Sequence, residues 1–85
     1  YSDDDVWYAR ILRLLASSEI NAAEDALFDG FDASSVRLRA ALDFYSRLNL
    51  LSDETLAYAN FSREEIAQGL DDIAARCGVE FRDQI

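Results

Sequence analysis

The chain has 85 residues with a formal charge of −9, and its 51% apolar share is enough to fold one small domain over residues 1–85, whose thin core buries about 60% of the surface an unfolded chain exposes. It has no histidine, all eight of its bases are arginine, and it has a single cysteine. That removes the commonest acid–base side chain near neutral pH, the lysine of Schiff-base and phosphate-loop chemistry, an internal disulfide and a zinc site, and with them the case for an enzyme.

The acids Asp3, Asp4 and Asp5 suit a helix start, and Trp7, Ile11, Leu14 and Leu15 follow at helical spacing, so a first helix is expected to fade at Ser17 and Ser18. The run "SEINAAEDALFDGFDAS" is read as a long ordered loop, with Ile20, Leu27, Phe28 and Phe31 folding back onto the core; ordered loops of that length usually carry function. A second helix is expected from Ser34 or Ser35 to Leu48, with Leu38, Ala41, Leu42, Tyr45 and Leu48 inside and Arg37, Arg39, Asp43 and Arg47 off that stripe.

The stretch "LNLLSDETLAYANF" shows a cap signal at Ser52 or Asp53 ahead of a short helix, pinned by Leu50, Leu51, Leu56 and Tyr58. Ser62 and Glu65 form a capping-box pattern, and Phe61 and Ile66 are spaced as a hydrophobic staple. Ile66, Leu70, Ile73, Ala74 and Cys77 continue the last inner face up to Gly78, a left-handed C-terminal cap. No proline or Ser/Gly linker divides the chain. The expected fold is all-α: a small bundle of three long helices plus one short helix, with a long ordered loop between the first two helices.

The order of elements, with "DALFDGFDASSVRLRAALDF" and "LNLLSDETLAYANFSREEIAQGL", resembles the acyl and peptidyl carrier proteins of fatty acid, polyketide and nonribosomal peptide assembly. The resemblance spans nearly the whole chain. It implies 4'-phosphopantetheine, transferred from coenzyme A to a serine hydroxyl at the start of the second helix and carrying acyl or aminoacyl groups as thioesters. It also implies three partners: a phosphopantetheinyl transferase, a loading ligase or acyltransferase, and a condensing or transferring enzyme.

The chain departs from the family's Gly-x-Asp-Ser-Leu motif. Counting forward from Leu27-Phe28-Asp29 puts the attachment serine on Ser34, the first choice, with Ala33 and Ser35 where the family has aspartate and leucine. Ser35, followed by Val36, is the second choice, and other registers put Asp32 there and leave no attachment. Serine is also a preferred N-cap, so the pair has a purely structural reading beside the chemical one.

Arg37 and Arg39 read as a solvated helix face, or as a mark of polyketide- or peptide-type partners. Asp3, Asp4 and Asp5 read as caps in preference to a metal site, and Cys77 as a small buried hydrophobe. No catalytic residue is assigned.

The alternative function is a small acidic helical binding protein, such as an inhibitor, an immunity protein or a mimic of nucleic-acid charge, or else a carrier-like docking domain without an arm. The acidity disfavours nucleic acid and anionic membrane as partners and favours basic protein surfaces. No apolar run reaches the roughly 20 residues of a membrane span, and the acidic start is unlike a signal peptide. A cytoplasmic monomer is expected.

Overall fold

The computed structural model describes residues 2–78, and every regular element among them is a helix: α1 (Asp3–Ala16), α2 (Ile20–Gly30), α3 (Ser35–Asn49), α4 (Asp53–Tyr58) and α5 (Arg63–Arg76). The all-α class holds, but the helices number five, and the expected long loop is a helix. Ile20, Ala23 and Leu27 fall at i, i+3 and i+7 and are buried, which is the inner face of an amphipathic helix. The residues between them include Ala22, Glu24 and Ala26, good helix formers, and the one glycine stands at the far end. A three-residue connection folds α2 back along α1, its main packing partner.

Each start and stop has a local cause. Ser2 caps α1: its hydroxyl accepts from the Asp5 amide at 3.2 Å while the Asp5 carboxylate accepts from the Ser2 amide at 3.3 Å. That makes a capping box, with Asp3 and Asp4 adding charge beside the positive helix end. Ser62 and Glu65 form the same box at α5, and Ser52 caps α4 through the Thr55 amide.

At the other ends, Ser18 (φ 62°) and Asn60 (φ 56°) take left-handed backbone. The amides of Glu19 and Phe61 each bond back to the carbonyls of Leu14 and Leu56 at 2.9 Å. Both are Schellman stops made without glycine. Gly78 (φ 66°) stands where a left-handed cap was expected and donates to the Ala75 carbonyl.

The core is Ile11, Ile20, Ala23, Leu27, Ala41, Phe44, Tyr45, Leu48, Leu56, Phe61, Ile66 and Ile73. α3 packs on α5, and α1 joins the two pairs by a lighter contact with α3. Three expected core positions are corrected. Leu42 is 38% exposed because the buried face of α3 is centred on Ala41, Phe44, Tyr45 and Leu48, one step around the helix. Leu50 (84% exposed) and Tyr58 (86%) also stand in solvent, leaving Leu56 as the buried anchor of α4 and Leu51 half-buried. Of the expected faces of α1 and α5, Ile11, Ile66 and Ile73 are fully buried, while Trp7, Leu14, Leu15, Leu70 and Cys77 pack around them half-buried.

Candidate functional site at the start of helix α3

The connection from α2 to α3 is only Phe31 to Ser34, and its geometry is specified residue by residue. The Asp32 carboxylate accepts from the Ser34 amide at 3.0 Å, an Asx turn that aims the chain into the helix. Ser34 is the N-cap: its backbone is extended, its hydroxyl accepts from the Arg37 amide at 3.3 Å, and its carbonyl accepts the first helical bond, from Leu38, at 2.9 Å. Ser35 is the first residue of the helix, and both serines are exposed. The two candidate attachment residues thus divide into a cap and a first-turn residue.

The side chain of Arg37 is not on a solvated face. It is 15% exposed, its Nε lies 2.6 Å from the Asp4 Oδ1 of α1, and its Nη1 donates to the Gly30 carbonyl that ends α2. Its guanidinium stacks 4.5 Å from the centroid of Trp7. The Trp7 indole N–H in turn donates to the Ala26 carbonyl at 3.1 Å. One arginine therefore ties α1, α2 and α3 together directly behind the serines. Arg39 is exposed, as expected. The position of Gly30 follows from this knot, since a Cβ there would fall 2.6 Å from Trp7 Cδ1 and 3.2 Å from the Arg37 guanidinium.

The chemistry open to this arrangement is narrow. The Ser34 hydroxyl, followed by its amide, holds the Asp32 carboxyl below the usual aspartate range, so Asp32 is ionised near neutral pH and a weak base. The chain has no histidine, and among the described residues no base stronger than Asp32 is bonded to the serines. The hydroxyls are accessible and lie at the positive end of a fifteen-residue helix.

Two polar pairs elsewhere were not picked out by spacing. The Tyr45 hydroxyl of α3 donates to Glu24 Oε2 of α2 at 2.6 Å, and the Tyr8 hydroxyl donates to the Asp43 carboxylate, which also accepts from Arg47 at 2.8 Å. Burial, then these bonds, pushes both phenols above the ordinary tyrosine range. The available signal was a tyrosine on an inner stripe, since a buried phenol needs an acceptor.

A formal charge of −9 and five helices around a small apolar core define a compact acidic helical domain among the described residues. No described helix is long and apolar enough to cross a membrane. The chain belongs to a family of unknown function, DUF6483, whose model matches residues 1–78. No curated protein and no solved structure matches it.

Proposed function

We propose that this domain is a non-catalytic binding module that presents an acidic, partly apolar surface to a basic protein. The observation that carries the reading is the solvent exposure of Leu50 (84%) and Tyr58 (86%), which flank the acids Asp53 and Glu54 in the chain. Large apolar side chains that contribute nothing to a core are candidate anchors, tyrosine above all. The charge of −9 steers a basic partner toward them and repels nucleic acid and anionic membrane. The role needs no cofactor and no resident metal, and it suits a cytoplasmic monomer folded as a helical bundle.

The test uses a lysine-rich amphipathic helical peptide as the probe, titrated calorimetrically from low to high salt. Affinity is expected to fall as salt rises, and to fall at least tenfold in a Leu50→Ser, Tyr58→Ser double variant. Salt-independent binding, or binding indifferent to the double variant, refutes the reading.

A second reading, a carrier of acyl or aminoacyl groups on 4'-phosphopantetheine, is favoured by one observation: Ser34 and Ser35 are exposed hydroxyls at the start of α3. Against it weigh the helix α2 where carriers have a long loop, and the use of the Ser34 hydroxyl as a cap. Under this reading Ser34 is the first site and Ser35 the second, and the partners are the transferase, the loading ligase or acyltransferase, and the condensing or transferring enzyme. Incubation with coenzyme A and a broad-specificity phosphopantetheinyl transferase, followed by intact mass, separates the two. One added phosphopantetheine establishes the carrier; an unmodified chain beside a fully loaded control carrier leaves the binding module.

A further inference from the structure

Glu24 lies on α2 with its carboxyl half-buried and its Oε2 receiving the Tyr45 hydroxyl of α3 at 2.6 Å. The Tyr45 ring has no room to retreat. It is fully buried, it meets Phe44 edge-on at 5.2 Å between centroids, and it lies so close over Gly69 of α5 that any β-carbon there would enter the ring. The carboxyl is therefore held in the wall of a cleft between α2 and α5, lined by Glu24, Asp25 and Phe28 of α2 and by Glu65, Asp72 and Arg76 of α5.

The charges facing Glu24 from its neighbours are nearly all of its own sign. Asp25 adjoins it on α2, and Glu65 and Asp72 face it from α5. Glu65 is fixed there because its carboxylate accepts from the Ser62 amide at 2.7 Å. The one cation lining the cleft among the described residues, Arg76, is stacked 4.9 Å from the Phe28 ring centroid.

We infer that the Glu24 carboxyl is a proton-operated clasp between α2 and α5: neutral, it lets the two helices approach across the cleft, and ionised, it sets α2 against the carboxylates of α5. Burial first, and then the carboxylates of Glu65, Asp25 and Asp72, raise its titration above the ordinary glutamate value, against the opposing pull of the Tyr45 bond. The sign follows from linkage. A carboxyl titrating higher in the folded than in the unfolded chain binds the extra proton in the folded state. Its stabilisation is complete below the ordinary glutamate value and is lost as pH rises through the folded one. Loosening of α2 from α5 accompanies that rise, and Phe28 is the apolar side chain it uncovers.

The test is carboxyl carbon NMR of the labelled protein from pH 3 to 7.5, with backbone amide shifts followed in the same samples. Glu24 is expected to titrate above 4.5, the ordinary value, with amides of α2 and α5 moving at the same midpoint. Asp72→Asn, a change on the exposed bank of the cleft, should lower that midpoint, and Glu24→Gln should abolish the amide movement. A Glu24 midpoint at or below 4.5, a midpoint unmoved by Asp72→Asn, or α2 and α5 amides that ignore Glu24 or still move in Glu24→Gln overturns the inference.

Discussion

Replacing Gly69 with alanine sets two well-defined effects against each other. Gly69 lies within α5 (Arg63–Arg76), and intrinsic helix propensity alone favours alanine there by about 1 kcal/mol. The added β-carbon, however, would stand 2.6 Å from Tyr45 Cε1 and nearer still to the adjoining ring carbon and hydroxyl. The ring cannot swing away, because Phe44 packs against it and its hydroxyl is bonded to Glu24. Overpacking of a fixed core costs about 1–3 kcal/mol, and here the insertion meets a rigid ring instead of a flexible chain end, so the upper part of that range applies. The expected result is a net loss of about 1–2 kcal/mol, read as a lower urea midpoint at unchanged slope by circular dichroism. In a Tyr45→Leu background the ring is gone, so adding Gly69→Ala should cost less than it does in the native chain, or stabilise. A single Gly69→Ala variant more stable than the parent would refute the close packing of α3 on α5.

Ser62→Ala removes one half of the capping box at α5 and should cost about 1 kcal/mol in urea unfolding. Arg37→Lys keeps the charge but loses the fork that spans Asp4, Gly30 and Trp7; a loss of about 1.5–3 kcal/mol is expected, with a shift in the emission of Trp7, the chain's one tryptophan. Asp43 is held below the ordinary aspartate value by the Tyr8 bond and then by Arg47. Its contribution to stability is thus full above the ordinary value and lost as pH falls through the folded one. Urea midpoints taken from pH 5 down to pH 2 should decline less steeply in Asp43→Asn than in the parent.

Helix ends were the most legible part of this fold, because a cap is a local bargain between a side chain and the amides beside it. Ser62 with Glu65 and Gly78 could be placed, and the cap of α4 narrowed to Ser52 or Asp53, without knowledge of the rest of the chain. Helix α2 was misread because two signals in "INAAEDALFDG" compete. The apolar positions Ile20, Ala23 and Leu27 have helical spacing, but alanine is a weak apolar marker, and Phe28 and Phe31 outside the stripe look like loop residues folding inward. The end of α1 at Ser17 and Ser18 was expected from the fading stripe, but the left-handed form of the stops at Ser18 and Asn60 is disclosed by the returning bonds to Leu14 and Leu56. The Arg37 knot was out of reach entirely. It depends on α1 and α2 delivering Asp4, Trp7 and Gly30 to one point from 33, 30 and 7 residues away in the chain.

The helicity of α2 changes what the two serines have to do. In a chain with a long loop at this position, the start of the next helix is free to be set by whatever protein modifies it. Here Gly30 ends one helix and Ser35 begins the next, so four residues must reverse the chain, and Asp32 and Ser34 are committed to doing it. Asp32 makes the turn by accepting from the Ser34 amide, and Ser34 caps through the Arg37 amide. Arg37 then returns its guanidinium to the end of α2. Esterifying the Ser34 hydroxyl would place a phosphate beside the ionised Asp32 and disturb the cap. Ser35 projects from the first turn without that commitment. If an enzyme does modify this segment, the cost of reaching Ser34 is the loss of a turn that holds three helices. Ser34→Ala should then destabilise the chain by about 1 kcal/mol whether or not it carries a group, and Ser35→Ala should leave the urea midpoint nearly unchanged. Equal midpoints for the two variants would show that the capping role assigned to Ser34 is wrong.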